Sequence, residues 1–155
     1  MRGMADRPLK ARFVDGLWWA PLGAFSASIF FMSNRESPIR IPDGYFEFDK
    51  VLHFGVYVVW ALLCAVPVLR FWPSLRPFRL ILIVGIAGLL YGISDEIHQA
   101  YVPKRQADVA DLVADAVGAF TGAAVAAVTW SWWRRGRAAV EDKAVGRPRV
   151  LPGEK

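Results

Sequence analysis

The chain of 155 residues has one cysteine, Cys64, which excludes an internal disulfide in any compartment. It has two histidines, His53 and His98, and neither belongs to a standard metal-ligand spacing. No internal repeat is present, and no Ser-His-Asp arrangement can be assigned from the order of residues. Charge is sparse as well: 21% of residues are charged, and several long stretches carry no charge at all. Hydrophobic residues make up 55%, with a mean hydropathy of +0.30, which excludes intrinsic disorder. An ordinary soluble domain is disfavoured too, because the apolar residues are gathered into blocks and not spread at helix or strand period. The net charge of +5 raises nucleic acid as a partner, but the basic residues sit between and beside apolar blocks. That placement points to a lipid bilayer and away from nucleic acid.

Four uncharged runs stand out, at 16–34, 51–69 (interrupted by His53), 80–94 and 116–133. A membrane-crossing helix needs about 20 mostly apolar residues. The third run is too short unless its helix continues through Asp95, Glu96, His98 and Gln99 toward Pro103. The runs are too long for barrel strands. The expectation is an all-α, four-helix transmembrane bundle with helices near 14–34, 49–70, 78–102 and 109–133. Of 19 Lys and Arg residues, 14 fall before the first uncharged run, between the second and third, or after the fourth. The positive-inside rule then puts both termini in the cytoplasm, with Trp18, Trp19, Trp72, Trp130, Trp132 and Trp133 at inner ends. A cleaved signal peptide is the rival reading of the basic start, but the apolar run is long and lacks a small-x-small cleavage site. The chain divides into a basic cytoplasmic N-terminus (1–13), a membrane domain (14–133) and a disordered basic cytoplasmic tail (134–155).

Polar residues collect at the outer ends of helices 2, 3 and 4. Asp49, His53 and Tyr57 share one helical face, with Lys50 beside them. Tyr91, Asp95 and His98 lie along one stripe; Glu96 and Gln99 make an adjacent pair. Asp108, Asp111, Asp115, Gly118 and Gly122 run along one face of helix 4. Part of this has an ordinary explanation: Asp108 or Asp49 can cap a helix, and Gly88/Gly92 and Gly118/Gly122 are small-residue pairs that let helices approach. The adjacent carboxylates Asp95 and Glu96 are harder to account for. A charge inside the membrane costs roughly 2.5–3.5 kcal/mol even on lenient scales, so these groups are expected to face inward and meet partners. The candidates for acid–base work are His53, Asp95, Glu96 and His98. The candidates for holding a substrate are Asp49, Lys50, Gln99, Arg105, Asp108, Asp111 and Asp115.

The stretch Ser94-Asp95-Glu96-Ile97-His98-Gln99-Ala100-Tyr101-Val102-Pro103-Lys104-Arg105-Gln106-Ala107-Asp108-Val109-Ala110-Asp111, its continuation through Asp115, Gly118 and Gly122, the upstream Asp49-Lys50-x-x-His53 and the Phe30-Phe31-Met32-Ser33 end of helix 1 together resemble the VanZ-like family. The resemblance covers roughly residues 16–122. At Asp115 the chain departs from that pattern, in which Asn is usual, and so carries an extra acid. The resemblance implies a small multi-pass protein of the bacterial inner (cytoplasmic) membrane, part of the cell envelope. The founding member is associated with antibiotic resistance of the teicoplanin type.

Three kinds of function fit these residues. In the first, an outward-facing carboxylate/histidine site binds a lipid headgroup or a lipid-linked cell-wall precursor, with Lys50, Lys104 and Arg105 gripping phosphate or carboxylate. In the second, the same residues form a membrane-embedded hydrolase or transferase acting on a lipid-linked envelope substrate, with Ser94 a possible nucleophile or with His53, His98, Asp95 and Glu96 holding Zn²⁺ or Mn²⁺. The third is a structural role or an ion pathway. Clustering at one end disfavours a through-path. Cofactor, metal and oligomeric state are left open by the sequence.

Overall fold

In the computed structural model, residues 15–34, 46–103, 105 and 107–144 are described. All regular structure among them is helical: α1 (Ala20–Ser33), α2 (Phe46–Phe71), α3 (Pro77–Gln99) and α4 (Val109–Ala144). At 1.5 Å per residue, α2, α3 and α4 are about 39, 35 and 54 Å long, enough to cross a hydrocarbon core of about 30 Å. By length and composition, Phe48–Phe71, Pro77–Gln99 and Val109–Asp142 can each span a membrane.

The fourth expected span is different. The run 16–34 does not form one long helix: a helical turn at 15–17 breaks at Trp18 and Trp19, and α1 begins only at Ala20. Pro21 at the start of α1 explains the break. It has no N–H to donate, and its ring would clash with the carbonyl of Leu17 if the helix ran through. The remaining 14 residues reach about 21 Å, short of the hydrocarbon thickness. Among the described residues the bundle is therefore three membrane-capable helices with a short one beside them.

α3 follows the expected course through Asp95, Glu96 and His98, ending at Gln99, four residues before Pro103. Pro77 starts it, where a missing N–H costs nothing and the fixed φ suits a helix. α4 outruns the expected end at 133 and continues to Ala144, over the beginning of the segment read as a disordered tail. Arg134, Arg135, Arg137, Ala138 and Ala139 are good helix formers. The Arg137 guanidinium also lies 4.9 Å from the ring centre of Trp133, one turn back. The basic N-terminus 1–13 and residues 145–155 lie outside the described residues.

α4 packs along both α2 and α3, which touch one another less. Close approach depends on absent side chains. A Cβ on Gly118 would collide with the carbonyl oxygen of Phe54, and one on Gly122 with Val58 and Ala61 of α2. On α3, Gly85 faces Phe120, Gly88 faces Ala119, and Gly92 lies against the side chain of Asp115. Ala119, Ala123 and Ala127 complete the buried face of α4 against Tyr57, Trp60, Ala61, Cys64, Leu80 and Val84. α1 is tied on by Ser26: its hydroxyl accepts from Trp60 Nε1 (2.9 Å) and its carbonyl from the Tyr91 hydroxyl (2.7 Å), with the Trp60 and Tyr91 rings stacked between. The outer surface is apolar, with Val59, Val66, Ile83, Ile86, Leu90, Val117, Val125 and Val128 exposed. Buried acids under an apolar exterior are the pattern of a bundle solvated by lipid tails.

Successive helices run up and down, so the end of α1, the start of α2, the end of α3 and the start of α4 meet at one end. The opposite end carries the Trp19–Phe71 stack and Arg70, whose Nη2 lies 3.9 Å from Asp15 Oδ1. Gly118→Leu would drive a side chain into the α2 backbone, an overpacking cost of about 1–3 kcal/mol or more. Its melting temperature in detergent should fall by several degrees. Gly23→Leu, where nothing lies within 4 Å of a new Cβ, should melt like the parent. Equal melting of the two variants would show that the stripe does not pack.

Candidate functional site

The polar end is built by α2, α3 and α4 together. Asp108 precedes α4, and its Oδ1 accepts from the Ala110 amide (2.8 Å), capping the helix as its residue type favours. Its other oxygen takes an ion pair from Lys50 of α2 (2.7 Å), and Lys50 also pairs with Asp111. The Asp108 amide donates to Glu96 Oε2 (2.8 Å), so a carboxylate of α3 fixes the entry to α4. One turn deeper, His53 Nδ1 lies 2.9 Å from Asp115 Oδ1. With Asp115 ionised, its oxygen can only accept, and Nδ1 is the donor of this bond. Nε2 lies 3.9 Å from Asp111 Oδ2, within ion-pair range but too far for a hydrogen bond.

Burial separates these groups. Asp115 has 0% of its surface exposed and Glu96 6%, whereas Lys50 and His53 are half-buried. Among the described residues, Glu96 Oε1 and Asp115 Oδ2 accept no hydrogen bond, and the hydroxyl of buried Tyr57, one turn beyond His53, has no partner either. Two groups have ligand atoms within 4.8 Å of one another: Asp49, His53 and Asp111, and the deeper His53, Glu96 and Asp115. Lys50 neutralises the first at Asp111; in the second, the imidazole of His53 lies against Asp115.

The expected site residues divide into parts. His53, Glu96, Asp111 and Asp115, with Lys50 and Asp108 at the mouth, are one connected network. Asp49 lies beside it, inside the first turn of α2 and not at its cap, because the helix starts at Phe46. Asp95 forms a second, buried arm: Oδ2 accepts from Ser33 Oγ of α1 (3.0 Å) and from Gln99 Nε2 (2.8 Å), and Gln99 Oε1 accepts from Arg105 Nη1 (3.4 Å). His98 points elsewhere, its ring stacked on Phe30 of α1 with centroids 4.3 Å apart. Two residues apart on a helix, Glu96 and His98 cannot share a face. Lys104 lies outside the described residues. Sequence reasoning passed over Tyr57 and Ser33 as site residues. The shared face with Asp49 and His53 was the available signal for Tyr57; for Ser33 it was the family-like end of α1.

Asp108 sits outside the spanning helices, and the Lys50 hydrogen bond, aided by the Ala110 amide, holds its carboxyl below the ordinary carboxylate range. A lowered folded-state value means that the pair's stabilisation is complete above about pH 4 and is lost as pH falls through the Asp108 value. Lys50→Met removes the cause. The acid-side drop in melting temperature should therefore be shallower in this variant than in the parent. Matching acid limbs would show that Lys50 does not hold Asp108.

The family model described as VanZ/LLP1 matches residues 9–131, taking in all four helices through most of α4. No curated protein and no solved structure matches the chain. The matched span includes the polar end, from Ser33 through Asp115, and on it the chain belongs to the VanZ/LLP1 family of membrane proteins.

Proposed function

We propose that this is an envelope protein of the bacterial inner membrane whose polar end faces outward and works as a hydrolase or transferase on a lipid-linked substrate. The observation that carries the reading is the His53–Asp115 pair with Glu96 beside it. A buried carboxylate on one ring nitrogen sets the tautomer and leaves the other nitrogen as a base. Glu96, buried and with one oxygen lacking a protein donor, is suited to give or take the second proton. Acid–base residues at the depth of a leaflet boundary match a substrate whose lipid tail stays in the bilayer. Lys50 is engaged by Asp108 and Asp111; Lys104 and Arg105 are the further cations proposed to meet an anionic headgroup.

The second reading is a binding protein that alters access of teicoplanin-type drugs to lipid-linked wall precursors, in line with the resistance associated with the family's founding member. Glu96→Gln and His53→Gln distinguish the two, because they keep the shape and change the proton chemistry. Under the catalytic reading both variants accumulate in the membrane at parental levels and lose the change in glycopeptide sensitivity that the parent confers on a host. Loss of a general acid or base costs about 10²–10⁴-fold in rate, enough to abolish such a phenotype. If both variants keep the full phenotype, the catalytic reading fails. Orientation rests on the distribution of Lys and Arg around the three long helices, ten from Arg70 to Arg79 and from Arg134 onward at the proposed cytoplasmic side against five at the polar end. Single cysteines at positions 43 and 147 should be labelled by an impermeant thiol reagent in intact cells at 43 only. Labelling at 147 with protection at 43 would invert the topology.

A further inference from the structure

We propose that His53, Glu96 and Asp115 hold a divalent transition-metal cation, of the Zn²⁺ or Mn²⁺ class. The inference rests on the site of the proposed function and names the ion that this site takes. Three observations carry it. The first is convergence: one residue from each long helix places a nitrogen or oxygen ligand atom within 4.8 Å of the other two. The second is unmet acceptor capacity. Asp115 is fully buried and Glu96 is 6% exposed, yet Asp115 Oδ2 and Glu96 Oε1 accept no hydrogen bond among the described residues. Buried carboxylate oxygens normally find donors or a cation, since leaving one unmet costs about 1–3 kcal/mol or more. The third is charge. Among the described side chains this end carries Asp49, Asp95, Glu96, Asp108, Asp111 and Asp115 against Lys50 and Arg105. Lys50 pairs with Asp108 and Asp111, and Arg105 reaches Gln99. Among the described side chains, Asp115 and Glu96 are left with His53.

The donor set and spacing fit such an ion. A neutral imidazole and two carboxylates offer a net charge of −2 to a +2 cation. Mixed nitrogen and oxygen donors suit Zn²⁺ and Mn²⁺ better than Mg²⁺, which prefers oxygen alone. His53 Nδ1 and Asp115 Oδ1 stand 2.9 Å apart. Two ligands each about 2.0–2.1 Å from one ion are about 2.9 Å apart at a right angle and about 3.3 Å apart at a tetrahedral one, so joint ligation needs a parting of no more than a few tenths of an ångström. The outer cluster of Asp49, His53 and Asp111 competes poorly, because Lys50 already occupies Asp111 and would repel a cation there. Glu96 is fixed on its far side by the Asp108 amide, as carboxylate ligands commonly are. With the ion in place, His53 and Asp115 are ligands, and the ion supplies the positive charge that polarises a phosphoryl or carbonyl oxygen.

The full chain, purified in detergent and stripped with a chelator, would be titrated with Zn²⁺, Mn²⁺ and Mg²⁺ by calorimetry, with melting temperature followed in parallel. Expected are one Zn²⁺ or Mn²⁺ per chain at micromolar affinity or tighter, a raised melting temperature, and no comparable response to Mg²⁺. His53→Gln, Glu96→Gln and Asp115→Asn should each weaken binding by at least about tenfold to a hundredfold. Glu141→Gln, at the far end of α4, should bind like the parent. Should a site variant fail to insert, X-ray absorption of the Zn²⁺-loaded parent still decides: one imidazole nitrogen plus oxygens at about 2.0–2.2 Å supports the site. Sulfur ligands, an all-oxygen shell, millimolar binding only, or equal binding by the site variants overturns it. The two readings fail separately. If the parent binds no ion while His53→Gln and Glu96→Gln abolish the envelope phenotype, the metal is wrong and the catalytic reading stands. If the ion binds as expected while those variants keep the phenotype, the reverse holds.

Discussion

Placing carboxylates inside a bundle whose exterior is apolar is the constraint on which the rest of this structure depends. Lipid tails offer no hydrogen bonds, so Asp95, Glu96, Asp111 and Asp115 must be satisfied by the protein or by something it binds. The partners come from other helices. Lys50 of α2 reaches Asp108 and Asp111, His53 of α2 reaches Asp115, Ser33 of α1 reaches Asp95, and Glu96 of α3 takes the amide that opens α4. Each contact crosses between elements, so the polar end exists only when the helices are assembled, and removing one member exposes another to an environment that does not solvate it.

That network requires the helices to be close, and the small residues of α4 and α3 make them so. Gly118 and Gly122 lay α4 on the backbone of α2 at Phe54, next to His53, and at Val58, little more than a turn further on. Gly92 opens room on α3 for the Asp115 side chain itself: a Cβ there would stand 3.2 Å from Asp115 Oδ2. The glycine stripe and the acid stripe of α4 are thus one device. In lipid there is little hydrophobic gain from helix association, so close van der Waals contact and the buried polar links supply the cohesion. α1 takes a smaller part. Shortened by Pro21, it contributes Ser26 and Ser33 as anchors, and Phe30 as the ring against which His98 lies.

The two arms of the polar end differ in kind. Around Asp95, every contact is a donor given to the carboxylate or passed along Gln99 to Arg105, which is what a structural clasp between α1, α3 and the following loop requires. Around Asp115 and Glu96 the protein supplies fewer donors than the acids can accept. Such a shortfall in a buried place is what the proposed site builds on.

The sequence alone determined the solvent of this protein and the end at which its polar residues gather. Uncharged runs of membrane length, the continuation of α3 through Asp95 to Gln99, and the acid and glycine stripe of α4 are all local patterns, legible because helical periodicity maps sequence directly onto a face. Two local readings went astray for local reasons. Pro21 interrupts the first apolar run, a steric effect that hydropathy does not register. Residues 134–144 remain helical because Arg and Ala carry helix propensity even where charge suggests a tail. What only the tertiary structure decided is which polar groups meet. His53 and His98 look equivalent in sequence, yet one faces Asp115 and the other stacks on Phe30; Asp95 and Glu96 are neighbours, yet they serve different arms. A helix assigns each residue a direction, but what lies in that direction depends on the rotation and approach of helices some 60 residues away, which no local pattern encodes.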